Sequence, residues 1–328
     1  MRMKGIYEDS AFAYEKGRQL SLSQVRPDKA KVQKIISEKV SEKTYSSCDM
    51  AVINALYKFG ILNSYNLTRY LQHADASMLK ESERRKDFSK NLRKLEEDGV
   101  IEKYTRDGAD KEKKEAAYIL SEGAVSWMRE NGNEAAAHDL IELCKCTEDD
   151  KLLELLSLNQ YHISILSEYR GRVKEGAYHK KVTFGQMKTL VPSKLKINVS
   201  NPSLTIKKIV LYAVVMPKKN PYTDEFIATL ITLNSYIRKN YVAGELPFIV
   251  IICEGKDSIQ KLLDILSEHE EMKDMEMLYM TELATKEDNP LKDTIRAKVS
   301  ERGNEYILST INMLKLLAGN DLKKGNKE

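Results

Sequence analysis

The chain has 328 residues, 42% of them hydrophobic and 31% charged, enough for about two domains and too apolar for a disordered polymer. No window approaches the roughly 18 unbroken apolar residues of a membrane span, and Met1 to Lys16 lacks the apolar core of a secretory signal, so a cytoplasmic protein with no membrane partner is expected. A net charge of +4 is too mild to establish a nucleic-acid partner, but its distribution is uneven: from Glu168 to Lys219 there are twelve Lys or Arg against two acids, so any polyanion would meet the protein through chosen surfaces.

In chain order, Pro27-Asp28 opens a lysine-rich helix over Lys29 to Lys43, read as an accessory helix or an arm. Asp49 or Ser47 caps the next helix, in which Met50, Ile53, Leu56 and Tyr57 recur at helical spacing and Phe59-Gly60 supplies the stop. A shorter helix starts at Asn63-Ser64 with Leu67, Tyr70 and Leu71 inward. A third, Lys80 to Asp98, sets Phe88, Leu92 and Leu95 on one face and ends at Gly99. Val100 to Tyr104 and Ala116 to Leu120 read as a hairpin with a charged tip, and Glu122 to Arg129 as a helix carrying the single tryptophan, Trp127.

Residues Asn133 to Arg170 read as two helical stretches, acidic and then leucine-rich. From Val182 the chain alternates: strands at Val182 to Leu190, Leu195 to Val199 and Ile206 to Met216, a helix at Thr223 to Lys239, a strand at Phe248 to Cys253, a helix at Ser258 to His269 and a strand at Met275 to Met280. Strands alternating with helices predict an α/β sheet with crossover connections.

Metal and triad chemistry find little support. Of Cys48, Cys144, Cys146 and Cys253, only Cys144 and Cys146 are close-set, with no second pair at zinc spacing. His73, His138, His162, His179 and His269 show no triad-like or zinc-helix spacing, and no Gly-rich phosphate loop is present. No cofactor, no metal ligand and no catalytic residue is therefore assigned.

The phrase Leu92-Arg-Lys-Leu-Glu-Glu-Asp-Gly-Val-Ile101 resembles the third-helix-to-wing junction of winged helix-turn-helix proteins. That resemblance implies an α+β winged-helix domain over 45–131, preceded by an arm or accessory helix over 1–44. It also implies that the third helix meets DNA. Projected at about 100° per residue, this helix turns Lys86, Ser89, Lys90 and Arg93 away from its apolar face, residues suited to phosphates and base edges. At the hairpin, Lys103 and Arg106 are offset by nearby acids, so a solvated loop and a DNA contact stand equal.

A helical linker over 132–175 then leads to an α/β domain over 176–315 and a disordered basic tail over 316–328. The order of elements resembles the restriction-endonuclease-like fold, and its pairing with a winged helix resembles the replication-relaxation family of bacterial plasmids and mobile elements. The resemblance implies a Pro-Asp and a Glu-bearing strand holding a divalent cation. Here Val191-Pro192-Ser193 puts serine where the acid belongs, and Ile209 to Met216 contains no carboxylate. Asp224 and Glu225, the next acids, read as helix openers. Lys180 and Lys181, in a basic window from Arg170 to Lys219, could hold DNA over a sheet that does not cut it, or balance the acidic helices.

The expectation is a DNA-binding protein without catalysis, partnered by double-stranded DNA and by replication or transfer proteins in plasmid or mobile-element maintenance. A metal-dependent nuclease or nicking protein, and a regulator whose α/β domain binds a protein or small ligand, are the alternatives. Oligomeric state, a dimer included, is left open.

Overall fold

A computed structural model describes residues 21–22, 26–74, 84–107, 114–131, 149–184, 187–199, 205–253, 257–273, 276–282, 284–286, 291, 294–299 and 309–311. The wing tip, Cys144, Cys146 and the expected tail lie outside them. The fold is mixed α and β, and the chain divides into two compact units, residues 14–159 and a second formed by 160–328 with 1–13.

In the first unit the elements are β1 (Ser21–Leu22), α1 (Lys29–Ser41), α2 (Ser47–Phe59), β2 (Ile61–Asn63), α3 (Ser64–Ala74), α4 (Arg84–Glu97), β3 (Ile101–Asp107), β4 (Lys114–Leu120) and α5 (Glu122–Glu130). The strands form one antiparallel sheet in the order β1-β3-β4-β2. The α2 cap is Ser46, not Asp49 or Ser47: the Ser46 hydroxyl accepts from the Asp49 N–H, and Asp49 Oδ2 accepts from the Ser46 N–H at 2.8 Å. This reciprocal box satisfies two N–H groups that helix geometry leaves open, which is why Asp49 sits at the third helical position rather than at the cap. At the other end of α4, Gly99 adopts φ +72°, the Val100 N–H donates to the Leu95 carbonyl and the Gly99 N–H to the Glu96 carbonyl. Glycine alone takes this left-handed turn cheaply, and it directs the chain into β3.

The core of this unit forms as the helical spacing predicts. Ile53, Leu56, Leu67, Leu71, Phe88, Leu92 and Leu95 are buried, while Met50 and Tyr70 are half-buried. Tyr70 meets the Phe59 ring edge-on at 4.9 Å. The accessory helix is more integral than its lysines suggest. Val32 and Ile36 of α1 are buried, Asp28 caps it, Trp127 Nε1 of α5 donates to Ser37 Oγ at 3.0 Å, and Gln33 Nε2 donates to Glu130 Oε1 at 2.9 Å.

The unit boundary falls within α6 (Asp149–Glu168). This helix replaces the expected linker character: from Leu155 to Leu166 every residue is buried. The following elements are β5 (Val173–Phe184), β6 (Met187–Asn198), β7 (Lys208–Val215), α7 (Asp224–Lys239), β8 (Glu245–Cys253), α8 (Asp257–Ser267), β9 (Glu276–Thr281), β10 (Thr294–Lys298) and β11 (Ser309–Ile311). The sheet order is β11-β10-β9-β8-β7-β6-β5, with β7, β8 and β9 parallel and the other pairs antiparallel. Helices α7 and α8 supply the two crossovers that parallel strands require. Leu230, Leu233 and Ile237 of α7 and Leu262, Leu263 and Leu266 of α8 pack on Val210, Tyr212, Ile249, Ile251 and Tyr279. Phe248 to Cys253 is an unbroken buried run, as expected of a central strand covered on both faces.

One strand differs from the sequence expectation. Val182 to Leu190 is not continuous: Phe184 pairs with Met187, so the chain reverses there, and β5 starts as early as Val173. The two long arms pair with each other from Val173↔Ile197 to Phe184↔Met187, with one irregularity at Glu175 to Ala177.

Candidate nucleic-acid interface

In the first unit a cleft of about 580 Å³ is lined by Ser64, Phe88, Ser89, Leu92, Arg93, Glu96, Glu97, Lys103 and Tyr118. Three residues singled out from the sequence, Ser89, Arg93 and Lys103, are thus brought together between α4 and the β3–β4 hairpin. Ser89, Lys90 and Arg93 are exposed on α4, opposite buried Phe88, Leu92 and Leu95. The side chains of Lys86 and Arg106 lie outside the described residues, although Lys86 falls within α4 and Arg106 within β3.

The electrostatics of the cleft are mixed. Arg93 Nε lies 2.8 Å from Glu97 Oε1, both side chains largely exposed, one helical turn apart. Glu96 and Glu97 face the same space. Arg93 therefore has a competing carboxylate of its own. Glu102, next to Lys103, is buried, and its desolvation raises the carboxyl above the usual range; Arg26, with Nε at 3.7 Å, opposes this and Glu122 adds to it.

Lys94 takes no part in the exposed face. Its Nζ donates to Asp49 Oδ2 at 2.9 Å and to the Thr44 carbonyl at 2.9 Å, and lies over the Tyr45 ring. Lys39 Nζ donates to Asp98 Oδ1 at 2.6 Å and the Tyr45 hydroxyl to Asp98 Oδ2 at 3.0 Å. These contacts tie α1, α2 and the end of α4 together, which fixes the direction in which Ser89, Lys90 and Arg93 point.

In the second unit, sequence spacing misses a serine-histidine-carboxylate relay. His162 Nδ1 lies 2.8 Å from Ser193 Oγ and Nε2 lies 3.2 Å from Glu175 Oε1. A carboxylate accepts from Nε2–H, which leaves Nδ1 to accept from the Ser193 hydroxyl. Ser193 and His162 are both fully buried, so a substrate could reach the hydroxyl only by displacing α6 or β6. Through this contact Ser193 holds α6 to the sheet. Ser193 and His162 are 31 positions apart in sequence, and no local signal marks this pairing.

The basic window separates into two groups. Glu245 Oε1 receives Lys196 at 2.8 Å and Lys208 at 3.9 Å, and Lys218 is buried against Glu282. Lys194 lies over the Tyr212 ring, and burial lowers its ammonium below the usual range. By contrast Lys180 and Lys181 are exposed on β5. Asp224 and Glu225 stand exposed in the first turn of α7 behind the Thr223 cap.

Among the described residues no three His, Cys, Asp or Glu side chains gather as a metal-binding group, and no helix is long and apolar enough to cross a membrane. No family model, curated protein or solved structure matches the chain.

Proposed function

We propose that the chain binds double-stranded DNA through α4 of a winged helix-turn-helix unit. The observation that carries this reading is the element order α2-β2-α3-α4-β3-β4 with sheet neighbours β3-β4-β2, in which α4 presents Ser89, Lys90 and Arg93. In that plan α4 is the recognition helix and the β3–β4 hairpin the wing. Lysine and arginine neutralise phosphates, and arginine can pair with a guanine edge through two hydrogen bonds. The antiparallel β5-β6-β7 meander followed by α7 and parallel β8 supports a restriction-endonuclease-like reading of the second unit. With serine at the acid position, it serves binding rather than cleavage. Plasmid or mobile-element replication is the setting this combination suggests.

The test is binding of the full chain to a short labelled duplex over a salt series, wild type against Lys90→Ala/Arg93→Ala, with a parallel magnesium set. The expected result is salt-dependent binding weakened in the variant, with a log–log slope shallower by about 1.8 at 0.9 per phosphate, and an intact duplex throughout. Equal binding by both proteins refutes the role of α4. Metal-dependent cutting of the duplex refutes the non-catalytic reading.

A further inference from the structure

From Gly176 to Thr223 the chain contains nine lysines and no acid. The fold treats them unequally. Lys196 and Lys208 share Glu245, Lys218 is buried with Glu282, and Lys194 covers Tyr212. These are bound into the unit by their own counter-charges or rings. A second set lies along the sheet's outermost strand and the turn before it: Arg170, Arg172, Lys174, Lys180 and Lys181 are all exposed and form no ion pair among the described residues. The one acid inside this stretch, Glu175, is engaged by His162.

The backbone gives this strand a distinctive form. β6 pairs with β7 only from Ser193 to Asn198, yet pairs with β5 as far as Met187. The pairs Lys180↔Val191 and Lys181↔Leu190 therefore belong to a stretch where β5 and β6 pair with no third strand among the described residues. One face of this ribbon packs on the core through Val191 and Val182, which leaves its outer edge, with exposed Lys180 and Lys181, to meet a phosphate backbone. Lysines on an edge strand also discourage pairing with other sheets. That protection needs no asymmetry between neutralised and unneutralised lysines within one sheet.

We infer that β5 and its lead-in turn form a second duplex-DNA contact, in which Lys180 and Lys181 on the β5–β6 ribbon, with Arg170, Arg172 and Lys174, neutralise backbone phosphates. This contact lies wholly in the second unit and is independent of α4.

The test compares full-length wild type, Lys180→Ala/Lys181→Ala, and a control that removes the same charge elsewhere on the unit, Lys207→Ala/Lys219→Ala, both exposed lysines with no ion pair among the described residues. Each is titrated with a short labelled DNA duplex between about 50 and 200 mM salt, and circular dichroism verifies folding, since exposed substitutions usually stay within about 0.5 kcal/mol. The ribbon pair should weaken binding roughly 10- to 100-fold at the lowest salt and make the log–log slope shallower by about 1.8, while the control keeps the wild-type slope. Equal losses in both pairs mean diffuse charge attraction and overturn the inference, as does an unchanged slope in the ribbon variant or an absence of wild-type binding. If the ribbon pair matters and Lys90→Ala/Arg93→Ala does not, the inference stands and the α4 proposal falls; the reverse pattern overturns the inference alone.

Discussion

Replacing Asp49 by alanine perturbs the first unit at a point where two kinds of interaction meet. The carboxylate is 1% exposed; its Oδ2 accepts from the Ser46 N–H at 2.8 Å, the Ser46 hydroxyl at 2.9 Å and Lys94 Nζ at 2.9 Å. Loss of the cap contribution costs about 1 kcal/mol. Loss of the ion pair costs about 1–2 kcal/mol rather than the larger figure for a sealed pair, because the Lys94 side chain is 37% exposed and can turn to water. The total of about 2–3 kcal/mol should lower a urea midpoint by roughly 1–2 M for a typical small-domain slope. Trp127 is the only tryptophan and sits 8% exposed in α5, so its fluorescence follows this unit specifically. A double-mutant cycle with Lys94→Met should return a coupling of about 1 kcal/mol. A loss below about 0.5 kcal/mol for Asp49→Ala, or no coupling to Lys94, would mean that neither the capping box nor the ion pair stabilises this unit.

Gly123→Ala should destabilise the same unit by about 1–2 kcal/mol in the Trp127 assay: the added Cβ would meet the Lys29 carbonyl oxygen and Val32 Cβ at 2.7 Å each, and this overpacking outweighs the roughly 1 kcal/mol helix preference of alanine. Glu97→Gln removes the carboxylate held by Arg93, so duplex affinity should rise about two- to fivefold; a weaker complex would count against Arg93 as a DNA contact. Glu102, its carboxyl raised by burial, contributes stability that is present below the ordinary value of 4.5 and lost as pH rises through its folded value, so Glu102→Gln should stabilise at pH 7 and have a vanishing effect toward pH 4 in parallel urea titrations.

Much of the first unit is legible because its signals are local. Gly99 announces the turn after α4, and the spacing of Phe88, Leu92 and Leu95 fixes which side of that helix is exposed, which in turn selects Ser89, Lys90 and Arg93. The Arg93–Glu97 competition is also local, a pair four residues apart. Ser46 is displaced from the expected capping assignment only because two serines and an aspartate compete within four positions. The second unit is less legible for a physical reason: its polar residues are satisfied by partners far away in sequence. Gln160 Nε2 donates to the Glu282 carbonyl and Thr285 Oγ1, and the Ser164 hydroxyl to the Thr285 carbonyl, so α6 buries polar side chains in a stretch expected as a helical linker. The β5–β6 reversal is nearly hidden because Val182 to Phe184 and Met187 to Leu190 both suit a strand, and Gly185 between them is the one local turn signal.

The double engagement of Glu245 by Lys196 and Lys208 bears on how the protein responds to ions. A lysine whose neutralising charge is built into the chain does not displace a condensed cation from a nucleic acid unless that internal partner is first released. Among the described residues, the cations between Arg170 and Lys219 therefore form two reservoirs, one closed and one open to the solvent. The β5 contact inferred above would add to a salt slope only through the open one, which would make an equilibrium titration a census of which lysines the sheet has already claimed.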